Sequence, residues 1–442
     1  MTTFQPSNAL FDNKKIIINK GITHIHNNGL HQLNLSDQDG YCALFVVHTP
    51  TFDDSGVAHA VEHFVFRRSK AFNNPSSLFQ LTSLTDLLIN ASTMADVTYF
   101  HCQSRCKSTF DLGLRYLLNG LLFPEFLEED LSQEVYDGKY CGVLYRELSG
   151  IYQENSSKVQ YQVGISDISD NRTYQHGGYC STIGELTTDD LINYHRQYYR
   201  PEKITLVTTN TDVEMVARLL NDLPVSTNNS VFSSKNNRYR PKPSQPIKKY
   251  HASKLLIRFW VNIDFYHYFE HHFNVLEALL LARKAVLVPL QPNVNNASLF
   301  AVNVIVNQVD IDDTVMTLNQ FITKNPYQEI GLDNEKTKHQ NPKYSPAINR
   351  LLDCYYNYIE AEQPKSSGQL IISEPTIHRL AQLDIAQNSL FTDTDAALLP
   401  VNNILIPSLK KLAVSINPSS INILDKNSSK ETKQRRANEV IR

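Results

Sequence analysis

His59, Glu62 and His63 stand in the stretch His59-Ala60-Val61-Glu62-His63, two imidazoles and a carboxylate at a spacing that lets one metal ion use all three. On a helix, at about 100° per residue, His59 and His63 lie about 40° apart and Glu62 about 60° to the other side of His59. All three therefore share one face. Neutral imidazole is a common zinc ligand, and a carboxylate beside the metal can take a proton from bound water whose pKa the metal has lowered to about 7. The chemistry predicted is metal-assisted hydrolysis, with His59 and His63 as ligands and Glu62 as the general base. The same spacing recurs at His267, Glu270 and His271, so the pentapeptide has to be judged by what surrounds it.

A helix has to carry the first motif. Thr51-Phe52-Asp53-Asp54-Ser55-Gly56 supplies capping side chains just ahead of Val57, and the helix is predicted to run from there past Phe66. The apolar run Tyr41 to His48, closed by Thr49-Pro50, predicts a strand leading into it, with shorter strands at Lys15 to Ile18 and Gln32 to Leu35. After a polar loop over 67–77 and an amphipathic stretch from Leu78 to Leu88, Ile89-Asn90-Ala91 and Val97 to His101 alternate like two strands of a sheet. Helices are expected from Phe110 to Leu122 and from Leu131 to Gln153, the second weakened by Gly138 and Gly142. Glu147 lies near the end of that second helix, where an isolated glutamate is ordinarily a solvated face residue. Thr187-Thr188-Asp189-Asp190 caps a helix through Tyr199. Pro201 separates it from a strand at Ile204 to Thr209, and a helix over Asp212 to Leu223 follows.

The apolar-poor, Asn-, Ser-, Pro- and Lys-rich stretch 225–253 is the expected linker. From Lys254 the pattern begins again, with strands at Leu255 to Ile263 and Leu299 to Asn307 and helices at Tyr268 to Leu287 and Asp313 to Ile322. A loop over 326–346 precedes a helix from Ala347 to Glu362, and Ile404 to Ile416 is further core. The expected layout is a first domain at 1–224, a second domain of the same kind at 254–426 and a disordered tail at 427–442. Meanders alternate with amphipathic helices rather than in strict βαβ order. The fold class is therefore α+β, each domain a mostly antiparallel sheet with helices packed on one face.

With 442 residues, 41% hydrophobic and 20% charged, the chain is long enough for two or three globular domains. A net charge of −3 gives no electrostatic hold on nucleic acid or an anionic membrane, and neither partner is expected. The longest apolar run, Val275 to Leu290, is interrupted by Glu277, Arg283 and Lys284, too polar to span a bilayer. Residues 1–20 resemble neither a secretory signal nor a transit peptide, which leads to the expectation of a cytoplasmic protein. Cys42, Cys102, Cys106, Cys141, Cys180 and Cys354 are expected to be thiols, the Cys102/Cys106 spacing included.

The order H-x-x-E-H is the inverted form of the zincin motif. Its surroundings complete a resemblance. His48-Thr49-Pro50 through Asp54-Ser55-Gly56-Val57, then Asn90-Ala91 with Thr93 and Thr98-Tyr99, then Gly142-Val143-Leu144-Tyr145-Arg146-Glu147, then Gly177-Gly178, Leu186-Thr187, Asp190-Leu191 and Tyr199-Arg200-Pro201 occur in that order. This ordered set resembles the pitrilysin and insulinase class of inverted zinc peptidases, most of all the N-terminal half of the presequence proteases. It covers residues 40 to 215 well and 250 to 325 weakly.

The resemblance implies two tandem domains of the LuxS/MPP-like metallohydrolase type. It also implies zinc held by His59, His63 and Glu147, with Glu62 as general base and Asn90 and Ala91 on a substrate-facing strand. Glu154, one helical repeat beyond Glu147, is the alternative third ligand. The implied activity is a zinc metalloendopeptidase acting on short unfolded peptides. The alternative is a non-catalytic peptide-binding or assembly subunit. In the family a second half closes over the substrate and brings an arginine and a tyrosine to the scissile carbonyl. No counterpart is evident after Lys254, so a homodimer or a partner chain of similar fold is expected. The second motif lacks the Asp-Ser-Gly lead-in, and Glu360 is its only loosely placed third ligand. It is expected to be a chance match.

Overall fold

The computed structural model describes residues 21–36, 40–94, 96–135, 141–153, 165–166, 173–223, 238–242, 250–262, 266, 269, 272–293, 296–323, 344–362, 370–373, 376–381, 383–384, 389–390 and 421–424. The strand expected at Lys15 to Ile18, the core segment at Ile404 to Ile416 and the tail at 427–442 lie outside them.

The first half is built on one six-stranded sheet. Its strands are β1 (Gly21–Ile25), β2 (His31–Leu35), β3 (Tyr41–His48), β4 (Leu88–Thr93), β5 (Val97–Ser104) and, beyond the short pair β6 (Ile165–Ser166) and β7 (Thr173–Tyr174), β8 (Ile204–Thr209). They lie in the order β1-β2-β8-β3-β5-β4, and every neighbouring pair is antiparallel except β2 with β8. β3 explains its own sequence. A central strand covered on both faces has no solvent side to alternate with, so it reads as an unbroken apolar run. Ala43, Phe45 and Val47 enter one core and Cys42, Leu44 and Val46 another.

On the first face lie α1 (Val57–Val65), α3 (Lys107–Leu122) and the helix Thr188–Tyr198. The last begins as expected, at a Thr187 cap whose hydroxyl accepts from the Asp190 N–H at 3.2 Å. The opposite face is covered from far along the chain, by Tyr344 and by Ile348, Leu351, Leu352 and Tyr358 of the helix Pro346–Glu362. Tyr356 of that helix reaches Tyr99 of β5, hydroxyl to hydroxyl at 2.7 Å, and Ser345 donates to Oε1 of Gln103 at 2.7 Å. Each of these fully covered aliphatic side chains contributes roughly 1.5–3 kcal/mol. A helix expected within the second domain thus completes the core of the first sheet.

Two sequence expectations change in detail. Leu131 to Gln153 is not one helix: α4 (Glu128–Glu134) and α5 (Val143–Gln153) are separate, after α2 (Ser77–Leu84) earlier in the chain. Gly142 lies so close to the end of α4 that a Cβ there would stand 2.2 Å from the Glu134 carbonyl carbon. Only glycine permits this approach. The helix expected over Tyr268 to Leu287 spans Phe273–Leu281 among the described residues, and Val286–Asn293 is strand β10. Lys284, at φ 57°, turns the chain between them.

The second sheet is led by β9 (Tyr250–Asn262), paired antiparallel with β11 (Asn296–Asn307) in unbroken register from Asn262↔Leu299 to Lys254↔Asn307. β10 flanks β11 on the other side. Alternate residues Leu255, Ile257, Phe259 and Val261 face a core made with the helices Phe273–Leu281 and Ile311–Thr323. Both sheets are therefore mostly antiparallel with packed helices, the α+β class expected. None of the six cysteines is in a disulfide, and no helix of the described residues is long and apolar enough to cross a membrane.

Candidate metal centre

α1 is buried along almost its whole length, because Ala58, Ala60, Val61, Phe64 and Val65 press into the first core. This leaves one narrow face for its polar residues. The rings of His59 and His63 stand on that face with centroids 5.1 Å apart. The carboxylate of Glu147, on α5, meets both: Oε1 lies 3.7 Å from Nε2 of His59 and Oε2 lies 3.4 Å from Nε2 of His63. One ligand atom from each of the three falls within 4.8 Å of the others. These separations are long for a hydrogen bond, which centres near 2.9 Å. They are close to the roughly 3.4 Å that separates two ligands of one tetrahedral zinc ion, each about 2.1 Å from it. Two imidazole nitrogens and a carboxylate oxygen are a zinc donor set, and the residues present fit that ion. Nδ1 of His59 is buried and makes no hydrogen bond among the described residues.

The electrostatics agree with a site built for a cation. Burial lowers the basicity of His63. The hydrogen bond to Glu134 and the nearby carboxylates of Glu147 and Glu62 outweigh that and raise its pKa to about 10. The adjacent imidazoles of His59 and His63 hold Glu147 well below the usual carboxylate range. The side chain of Glu147 is 48% exposed, so the face it closes is open to solvent on that side.

Behind His63 stands a carboxylate that no motif marks. Oε2 of Glu134 lies 2.9 Å from Nδ1 of His63. The other Glu134 oxygen accepts from Arg67 at 2.8 Å, and Arg67 also donates to Asp130 at 2.9 Å, which takes a further bond from Arg68 at 2.7 Å. A hydrogen bond to the far ring nitrogen sets the tautomer and aims the near one. The signal was present in the sequence as two adjacent arginines just after the motif and an acidic run from Glu128 to Glu134. Nothing in it paired them across more than sixty residues.

Glu62 is 7% exposed. Its Oε2 accepts from the hydroxyl of Thr93, which is 3.3 Å from that of Thr98, itself 2.7 Å from Thr49. Thr93 is the last residue of β4, the end strand of its sheet, so the strand that carries Asn90 and Ala91 runs up to Glu62. Asn90 is exposed, and its Oδ1 accepts from the N–H of Ala91 at 2.9 Å. Ala91 packs into the core shared with α1.

The lead-in residues hold the helix in place. Gly56, at φ 73°, is the N-cap and has no side chain to cap with. The hydroxyl of Ser55 instead accepts from the N–H of Val57 at 3.2 Å. A Cβ on Gly56 would meet the carbonyl oxygen of Gly177 at 2.6 Å. Tyr152 at the end of α5 donates to the carbonyl of Gly178 at 2.6 Å. The Gly177-Gly178 turn therefore ties the start of the helix bearing His59 to the end of the helix bearing Glu147. Glu154, His267, Glu270 and His271 lie outside the described residues.

No family model matches the chain. Over 203 residues it is 27% identical to Protein HypA of Clostridium perfringens, covering 42% of this chain and 21% of that protein. Over 188 residues it is 25% identical to presequence protease 1, chloroplastic/mitochondrial, of Arabidopsis thaliana, covering 39% of this chain and 17% of that protein. The match thus spans about a fifth of each relative's length. Among solved structures, the first half of the periplasmic protease PqqL from Escherichia coli aligns with a TM-score of 0.47 at 15% identity, over 71% of this chain and 75% of that one. The resemblance read from the ordered motifs and the similarity to named relatives agree: over 35–40% of its length the chain is similar to presequence proteases.

Proposed function

We propose that this chain is a zinc-dependent metalloendopeptidase that hydrolyses short unfolded peptides. The observation that carries the reading is the convergence of His59, His63 and Glu147 beside Glu62, at the end of an edge strand. His59, His63 and Glu147 would hold the zinc ion. Bound there, zinc supplies a Lewis acid and brings the pKa of water towards 7. Glu62 accepts the proton of the attacking water and passes it to the leaving amine, and the Thr93 hydroxyl keeps one of its oxygens in place for this.

The substrate class follows from β4. Its outer edge pairs with no other strand among the described residues, so its free N–H and C=O groups can accept an extended peptide as an added strand. Only a segment whose own backbone groups are unbonded can do so, which favours unfolded peptides over folded proteins. Asn90 and Ala91 would meet that peptide. The Ala91 side chain is turned into the core, and Asn90 holds the Ala91 N–H until the peptide arrives.

Glu147 is open on one side, and attack on a peptide carbonyl needs donors to the developing oxyanion, each commonly worth about 3–4 kcal/mol. We assign those donors to a second copy or a partner chain of similar fold, closing over the face that carries Glu147. The domain layout proposed is a catalytic domain at 1–224 and a non-catalytic second domain at 254–426, with the helix Pro346–Glu362 packed back onto the first.

Glu62→Gln tests the assignment. The amide keeps its shape and cannot take the proton, so the variant is expected to retain zinc and to lose hydrolysis of an unfolded peptide by at least about 100-fold. Zinc loss equal to that of a ligand variant would contradict the role of Glu62. Wild-type protein that binds zinc and peptide without cleaving, alone and with candidate partner chains, would be the peptide-binding subunit instead.

A further inference from the structure

Within the stretch expected to link the two domains, residues 238–242 are fastened to the start of α1. Tyr239 is 7% exposed, with its ring edge-on to Tyr194 at 5.4 Å between centroids. Its hydroxyl donates to Oδ2 of Asp53 at 2.5 Å and lies 3.0 Å from the hydroxyl of Ser55. The backbone N–H of Lys242 donates to the same Oδ2 at 2.6 Å. The other oxygen of Asp53 accepts from the N–H of Ser55 at 3.0 Å and from its hydroxyl at 2.6 Å. That hydroxyl accepts from the N–H of Val57, the first residue of α1. A continuous hydrogen-bonded path thus leads from the linker to a point two residues before His59.

The path matters because of what α1 lacks. Gly56 at its N-cap has no capping side chain, and the first N–H of the helix is instead taken by the hydroxyl of Ser55, which is aimed by Asp53. Asp53 is 3% exposed, and a buried carboxylate keeps its position only while its donors are in place. Tyr239 supplies one of them from outside the first sheet domain. Lys242 adds a separate outer tether, its ammonium 3.0 Å from Asp190.

We propose that Tyr239 is a positioning residue for the metal-binding helix, setting through Asp53 and Ser55 where α1 begins and hence how His59 is presented. Its catalytic consequence rests on the zinc peptidase reading; its structural consequence does not. The test uses the full chain with Tyr239→Phe, which keeps the ring against Tyr194 and removes only the hydroxyl. Lys242→Ala serves as the control, because it cuts the outer tether and leaves the backbone bond to Asp53.

In metal-free protein, Tyr239→Phe is expected to speed amide exchange at Val57 to Ala60 while β3 and α3 stay protected. In zinc competition against a chelator it is expected to weaken affinity about five-fold, with kcat reduced and KM unchanged. Lys242→Ala should alter none of these. Unchanged exchange at α1 would overturn the inference, as would exchange raised equally across β3 and α3 with zinc affinity retained, which marks mere global destabilisation. If the wild type neither bound zinc nor cleaved peptide, the peptidase reading would fall, and faster exchange confined to the start of α1 would still uphold the role of Tyr239.

Discussion

Nδ1 of His63 lies 2.9 Å from Oε2 of Glu134, a carboxylate that is 3% exposed and shares its other oxygen with Arg67. This bond turns the opposite ring nitrogen towards Glu147 and ties the metal-binding face of α1 to the last turn of α4. Glu134→Ala removes the acceptor and leaves Arg67 with one partner fewer. The variant is expected to lose about 10- to 100-fold in zinc affinity, the range for outer partners of a ligating histidine. Competition with a chelator measures it, and an affinity equal to wild type would show that Glu134 serves packing alone.

The third ligand can be assigned by a pair of variants. Glu147→Ala is expected to lower the zinc content sharply, because two imidazoles alone are too few protein ligands to retain the ion. Glu154→Ala is expected to leave it at the wild-type level. Metal analysis after exhaustive dialysis decides between them, and the reverse pattern would transfer the role to Glu154.

Acid should destabilise the fold through His195. Burial pushes its pKa down to about 4, a hydrogen bond to the Leu121 carbonyl at 2.7 Å notwithstanding. In the unfolded chain the same group titrates near 6.5. Between those two values the unfolded state binds the extra proton, so stability is complete above about pH 6.5 and is lost as pH falls towards 4, by about 3 kcal/mol from this group. His195→Gln lacks the titrating ring. Its unfolding free energy in urea, measured from pH 7 to 4, should fall less steeply than that of the wild type. Equal slopes would remove His195 from the account.

Cutting the chain at the expected domain boundary should fail to give a soluble first domain. Residues 1–224 alone would bare Leu44, Val46, Tyr99 and Val207, which are covered by Tyr344, Ile348, Leu351 and Leu352. An apolar sheet face of that kind is an aggregation surface. The fragment is expected to aggregate or to bind a hydrophobic dye strongly, and co-expression with a fragment containing residues 344–362 is expected to recover soluble protein. A monomeric, dye-silent fragment would show that the helix is dispensable for the first core.

Several features were legible in the sequence because they depend on local spacing. Helical periodicity alone puts His59, Glu62 and His63 on one face, the Thr187 to Asp190 run announces its own cap, and the unbroken apolar run of β3 marks a central strand. Gly142 already weakened the expectation of a single long helix, and its contact with Glu134 shows why that helix divides. The third candidate ligand could be named only through resemblance, since the distance between Glu147 and the two histidines depends on how α5 packs against α1. That packing is set by the approach of Gly56 to Gly177 and by the bond from Tyr152 to Gly178.

Three pairings could not be read from local sequence. The pairing of Glu134 with His63 spans 71 residues, the clasp of Tyr239 on Asp53 spans 186, and the bond between Tyr99 and Tyr356 spans 257. Periodicity and capping report on neighbours a few positions apart. Which distant carboxylate, phenol or helix arrives at a given face is decided by the burial of whole surfaces, and only the tertiary structure decided it here.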